Sequence, residues 1–345
     1  MLYRSKAPFR LGIAGGGTDV SPYSDLYGGA ILNVTVNLYA FATIRPLNNG
    51  KIRFIHINEN LTEQAKAVSS LPITDDALVL QRGIYNSIVK KYNNNQPLSF
   101  ELITYMDVPS GSGLGTSSTL AVAILGAFTE WLKLPLGRYD IAHYAYEIER
   151  LDLKMAGGKQ DQYAATFGGV NFMEFYEDDK VIVNPLRINN TVLQEWSMNT
   201  VLFYTNIQRA SSKIIEEQAA NVEKNDSPSV EAMHNVKKEA YRMKNCLLKD
   251  ELQELGKALN TSWINKKKMA RNISNEMIDK IYDTAISNGA LGGKISGAGG
   301  GGFLFFYCPG TTRYQVIRAL TALNIGHVCP FEFSKNGLTT WTVEE

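Results

Sequence analysis

The segment Pro109-Ser-Gly-Ser-Gly-Leu-Gly-Thr-Ser-Ser-Thr119 decides how the rest of the chain is read. It follows Ser99–Tyr105, whose alternating residues predict a strand, and it opens Ser118–Leu132, apolar nearly all round and so predicted to be a buried helix. Gly111, Gly113 and Gly115 let the backbone turn sharply and approach a ligand closely. The first turn of the helix adds unpaired N–H groups and a positive dipole end, which together suit a phosphate. Thr116, Ser117 and Ser118 supply hydroxyls that can cap the helix or ligate Mg²⁺. The candidate phosphate-binding loop is therefore Gly111, Ser112, Gly113, Leu114, Gly115, Thr116, Ser117 and Ser118. A tight strand-to-helix turn with a serine cap is the competing local reading.

Two better-known phosphate loops are excluded. The nucleotide-hydrolase loop requires a lysine before the Ser/Thr pair, and none occurs here. The dinucleotide fingerprint requires glycine at its first, third and sixth places, but counting from Gly111 the sixth is Thr116. A second cluster, Ser296-Gly-Ala-Gly-Gly-Gly-Gly302, satisfies that spacing from Gly297, yet Phe303–Tyr307 after it reads as a strand where a helix is needed. A tight hairpin and a ligand-facing loop both remain open there.

With 345 residues the chain is long enough for two domains. Its 44% hydrophobic and 20% charged content is that of an ordinary soluble globular protein. A formal net charge of +1 gives no global field for nucleic acid or an anionic membrane, so neither is an expected partner, and any bound anion needs local donors. The longest apolar stretch, Leu120–Phe128, is too short to cross a bilayer, and the first residues lack the apolar core of a secretory signal. Cys246, Cys308 and Cys329 are few and widely spaced, as reduced thiols in a cytoplasm would be. His56, His143, His234 and His327 show no ligand spacing, so no zinc site is expected.

Mixed strands and helices in two blocks predict an α+β fold. The boundary is placed near Asn184–Glu195, giving one domain over residues 1–190 and a second over 195–345. Expected elements include a strand over Lys51–Ile57, helices over Ala77–Tyr92 and Tyr139–Lys154, and a strand over Thr200–Tyr204. Helices are expected near Ser211–Val222, Ser229–Leu248, Glu251–Asn260, Asn275–Ser287 and Thr312–Leu323, with an exposed loop over Asn221–Ser229 and a closing strand pair.

Phosphoryl transfer needs held phosphates, a metal and a group that orients or deprotonates the attacking hydroxyl. Glu149 precedes Ala156-Gly-Gly-Lys-Gln-Asp-Gln162, and Asp161 within that run is either a general base or a helix cap. Near the start, Arg10 leads into Gly15-Gly16-Gly17-Thr18-Asp19, where Asp19 can accept hydrogen bonds from sugar hydroxyls or cap a turn.

Taken in order, Lys6–Asp19, Pro109–Ser118 and Lys294–Gly302 resemble the three motifs of the galactokinase, homoserine kinase, mevalonate kinase and phosphomevalonate kinase (GHMP) superfamily. The resemblance spans nearly the whole chain. It implies an N-terminal domain like ribosomal protein S5 domain 2, a ferredoxin-like C-terminal domain, and ATP with Mg²⁺ between them. It implies Asp161 as the catalytic aspartate, Arg10 as the basic residue beside the transferring phosphate, and Ser117 and Glu149 as Mg²⁺ ligands, with Ser118 or Glu147 as substitutes one turn away.

The same resemblance implies a sugar-binding region at Gly16, Gly17, Thr18 and Asp19, joined by Gly299 and Gly300. Galactokinases carry Glu-His where this chain has Gly16-Gly17, which argues against galactose. The Ala-Gly-Gly-Gly-Thr-Asp form looks most like heptose-phosphate kinases, followed by bacterial L-fucokinases. Tyr204–Lys213 is similar to a segment of the heptose kinases, making Arg209 and Lys213 candidates for holding a phosphate already on the substrate, or else a solvated helix face. The implied activity is ATP-dependent phosphorylation of a sugar or sugar phosphate, with the anomeric hydroxyl of a heptose 7-phosphate foremost. An unphosphorylated-sugar kinase and an inactive binding protein of the same fold are the alternatives, and a homodimer is left open.

Overall fold

The structure, a computed structural model, describes residues 1–208 and 212–344. The chain opens with two long strands, β1 (Leu2–Ala14) and β2 (Gly29–Pro46), separated by the short helix α1 (Tyr23–Tyr27). A hairpin follows, β3 (Lys51–His56) and β4 (Leu61–Lys66), then α2 (Val79–Tyr92), β5 (Phe100–Met106) and α3 (Thr116–Leu132). Helix α4 (Arg138–Tyr146) runs into a π-helical turn at Glu147–Asp152, ahead of α5 (Gln160–Phe167), β6 (Val170–Phe175), β7 (Val181–Pro185) and α6 (Asn190–Met198). The second half contains β8 (Thr200–Tyr204), α7 (Ser212–Glu223), α8 (Ser227–Leu248), α9 (Leu252–Lys266) and α10 (Glu276–Ser287). It closes with β9 (Gly292–Ile295), β10 (Phe303–Tyr307), α11 (Thr312–Ala322), β11 (His327–Cys329) and β12 (Thr339–Val343).

Eight strands form the first sheet, in the order β12-β1-β2-β5-β3-β4 with β6 and β7 branching from β2. Strand β2 is long enough to pair twice: Gly29–Val34 with β6 and Ala40–Pro46 with β5. Helix α3 lies on β1 and β2 and is buried along most of its length, as its continuous apolar run demands. The second sheet runs β11-β8-β10-β9, all antiparallel. This is the spatial order 4-1-3-2 of a ferredoxin-like β-α-β-β-α-β unit, here with four helices in its first crossover. Every residue of β8 and β10 is buried. Leu202, Tyr204, Phe303 and Phe305 join the core of the first sheet, while Val201, Phe203, Leu304 and Phe306 pack with α7, α8, α10 and α11.

The α+β expectation holds, but several boundaries move. Helix α6 occupies the stretch read as the domain boundary. The closing strands do not pair with each other: β11 joins β8, whereas β12 returns to the open edge of β1. Residues 339–343 therefore belong to the first sheet and not to a block ending at 345, because an alternating strand fits whichever edge lacks a partner. The expected loop over Asn221–Ser229 shrinks to residues 224–226, and Ser229 is buried in α8, donating to Met269 O. No described helix is long and apolar enough to cross a membrane.

Candidate active site

The three glycine-bearing segments converge on one cleft of about 850 Å³, a volume suited to small ligands. Arg10 is the joint between them. Its buried guanidinium donates through Nε to Asp161 Oδ1 at 2.7 Å, and through Nη1 to Gly113 O at 2.8 Å and Ser296 Oγ at 3.1 Å. Asp161 sits in the first turn of α5, where Lys159 holds the N-cap position, so Asp161 is an ion-pair partner in the cleft and not the cap.

The candidate phosphate loop takes the form the glycines predict. Gly111, Gly113 and Gly115 have φ of +71°, +84° and +75°, which L side chains rarely adopt. A Cβ on Gly113 would lie 2.6 Å from Ser296 O, so the two glycine clusters interlock back to back. A Cβ on Gly115 would lie 2.8 Å from Asp161 Cγ; glycine is what lets the carboxylate come this close to the start of α3. Thr116 Oγ1 accepts from Gly111 N and closes the loop. Ser112 Oγ is buried with no partner among the described residues, and the Leu114 side chain is buried in the core, leaving only its backbone to serve the loop.

Ser117 and Glu149 meet. Ser117 Oγ donates to Glu149 Oε1 at 2.7 Å, and Gln162 Nε2 donates to Oε2 at 2.6 Å. The π-helical turn carries Glu149 inward while Glu147 stays outside, paired with Lys91 and His143. Ser118 Oγ instead accepts from Gln162 and Arg150, so the alternative pair Ser118 and Glu147 is not brought together.

On the other side of Arg10, Asp19 is fully buried and accepts from Gln160 N at 3.1 Å, Gln160 Nε2 at 3.2 Å and Gly17 N at 3.3 Å. Burial raises its pKa above the ordinary carboxylate value, and repulsion from Asp161 adds to the rise. Gly16 and Gly17 line the cleft, whereas Thr18 is turned away, donating to Gly15 O and accepting from Ala30 N.

Gly299 and Gly300 do not line the cleft; they lie against the Ile273 segment, with Gly300 N donating to Ile273 O, while Gly297 and Ala298 face inward. Lys213 is exposed on α7 and absent from the lining, and Arg209 falls outside the described residues.

Two buried lysines complete the site, and sequence reasoning did not single them out. Lys266 Nζ donates to Gly16 O at 3.3 Å, and burial depresses its pKa to about 8. Lys294, inside the third motif, donates to Gly12 O, and burial holds it well below the usual lysine value.

Comparison with known proteins agrees with this geometry. Residues 78–169 match the model of the GHMP kinases N-terminal domain, and residues 243–325 match the GHMP kinases C-terminal model. A D-glycero-alpha-D-manno-heptose 7-phosphate kinase of Campylobacter jejuni is 48% identical over 99% of both chains. An L-fucokinase/L-fucose-1-P guanylyltransferase of Bacteroides fragilis is 26% identical over 92% of this chain but 36% of its own length. The crystal structure of a D-glycero-D-manno-heptose 1-phosphate kinase from Bacteroides thetaiotaomicron superposes with a TM-score of 0.85 at 44% identity, covering 99% of this chain and all of the other. Two family models in the right order and a whole-length relative leave one assignment: the chain belongs to the GHMP kinase superfamily, and is an ATP-dependent phosphotransferase.

Proposed function

We propose that this protein transfers the γ-phosphoryl group of ATP to the anomeric hydroxyl of a heptose 7-phosphate. The observation that carries the reading is the Arg10–Asp161 pair at 2.7 Å, set where all three motifs meet. The whole-length similarity to a heptose 7-phosphate kinase supports the choice of sugar.

Asp161 Oδ atoms accept the hydrogen bond of the attacking hydroxyl and take its proton as the new P–O bond forms. Arg10 holds that carboxylate in place and offers positive charge to the transferred group. Backbone N–H groups of the 111–118 loop and the α3 N-terminus hold the nucleotide phosphates. The donor set fits Mg²⁺ in part: Ser117 Oγ and Glu149 Oε1 supply two hard oxygens, and the described residues contain no cluster of three His, Cys, Asp or Glu side chains that would cage a metal. Phosphate oxygens and water would complete such a shell, as Mg²⁺ prefers, and the ion would neutralise charge on the transferring phosphates. Asp19 accepts from sugar hydroxyls across the Gly16–Gly17 floor.

Asp161→Asn tests the assignment. It should lower kcat by roughly 10²- to 10⁴-fold with ATP affinity retained. Wild-type turnover by this variant would overturn the role, and absence of ADP release with heptose 7-phosphate would overturn the substrate.

A further inference from the structure

Lys266 terminates α9 and is 1% exposed, yet its ammonium makes a single hydrogen bond, to Gly16 O. No carboxylate of the described residues lies within ion-pair distance of it. A buried ammonium has three donors and is destabilising unless an anion or acceptors meet it. Gln218 of α7, 2% exposed, stands beside Gly17 with its Oε1 the nearer amide atom, and its Nε2 is buried with no partner among the described residues. Both side chains line the cleft with Asp19, and each carries N–H donors that lack an acceptor. Unused donors, one set of them charged, suit a ligand that accepts and is negative.

Two other buried cations line the cleft, and each has a further neighbour. Arg10 is committed to Asp161, Gly113 and Ser296, and Lys294 donates to Gly12 O with Phe305 beneath its ammonium. Arg10 thus contacts the Gly111–Ser118 loop, whereas Lys266 contacts the Gly16–Gly17 floor.

We propose that Lys266, with Gln218, holds the phosphate that the sugar substrate already carries, and so is the residue by which this cleft tells a phosphorylated from an unphosphorylated sugar. The assignment rests on the proposed function for the identity of the sugar, but not for the presence of an anion. Lys266 takes the place of Lys213, which is exposed and not among the residues lining the cleft.

The test is calorimetric titration of heptose 7-phosphate and of the unphosphorylated heptose into wild-type protein, Lys266→Met and Lys266→Arg, with the nucleotide site filled by a non-hydrolysable ATP analogue. Lys266→Met should weaken heptose 7-phosphate binding by roughly 10- to 100-fold, the range of one charge-assisted hydrogen bond, and the neutral sugar by less than about 3-fold. In turnover its KM for the sugar phosphate should rise while kcat and the KM for ATP hold, and Lys266→Arg should recover most of the loss. Equal losses for both sugars, or a Lys266→Met protein that keeps the wild-type preference, would overturn the assignment. If the wild type does not turn over heptose 7-phosphate, the proposed substrate fails, and Lys266 is judged with inorganic phosphate under the same filled-nucleotide conditions. Binding lost in Lys266→Met supports the assignment there, and binding that is unchanged or absent in the wild type overturns it.

Discussion

Gly115→Ala adds one methyl group at the point where the Gly111–Ser118 loop and the carboxylate proposed to be catalytic touch. Gly115 has φ +75°, and its added Cβ would sit 2.8 Å from Asp161 Cγ and 2.9 Å from Oδ2. Carbon atoms rest comfortably at about 3.5–4.0 Å, so Asp161 would have to retreat by roughly 1 Å. That movement breaks or re-aims the 2.7 Å bond to Arg10. A reacting group misplaced by about 1 Å costs on the order of 10²-fold in rate. Separately, a Cβ in the left-handed region destabilises the fold by about 1–2 kcal/mol. Gly50→Ala isolates this second effect, because Gly50 has φ +66° with nothing within 4 Å of its added Cβ. Coupled ADP-release assays and urea unfolding on both variants should show similar stability losses, with turnover falling about 100-fold only in Gly115→Ala. Equal turnover in the two variants would refute the claim that Gly115 exists to admit Asp161.

Glu149→Gln keeps the shape that Ser117 and Gln162 bond to but removes the charge, so half-saturating Mg²⁺ in a turnover assay should rise about 10-fold or more. Lys266→Met should stabilise the ligand-free protein at pH 7. The buried ammonium is depressed from 10.5 to about 8, which corresponds to roughly 2–4 kcal/mol of unfavourable burial. Asp19 opposes that depression, while Arg10 adds to it. Below pH 8 the folded and unfolded chains both carry the proton and the full penalty stands. As pH rises through 8 the folded form sheds its proton first, so the stability gap between variant and wild type should narrow between pH 7.5 and 9.5 in urea titrations. Sugar-phosphate affinity of the wild type should decline over the same range, and that of Lys266→Arg should stay level.

Local chemistry was legible in the sequence. Three alternating glycines before an apolar helix specify a turn and an exposed N-terminus whatever surrounds them, and Gly111–Ser118 takes that form. Ser117 and Glu149 are 32 residues apart, yet each lies at the start or on the inner face of its own helix, so the family motif could pair them. Partner choice was less legible. Nothing in Thr339–Val343 says which sheet edge it will join; that depends on β1 presenting an unpaired edge. The Ser296–Gly302 cluster leaves a hairpin and a ligand-facing loop both open by spacing; Gly297 and Ala298 line the cleft, and the same backbone packs closely against Gly113. Glycine patterns report close approach without reporting what approaches.

Lys266 is the instructive miss, because a signal for it was present. It opens the run Lys266-Lys267-Lys268, which by composition is a solvated basic patch, and the latter two are indeed exposed. The phase of α9 says otherwise for the first. Leu252, Leu255, Leu259, Ser262, Trp263 and Lys266 recur at three- and four-residue steps and all are buried, so Lys266 falls on the helix's inward stripe. A lysine on such a stripe is unfavourable for folding and useful only if something negative reaches it. The same test separates Glu149, buried on the inner face of the π-helical turn, from Glu147 two residues earlier on the surface. On α7 the buried stripe of Ile214, Gln218 and Val222 likewise contains one polar residue, Gln218, which abuts Gly17 as Lys266 abuts Gly16.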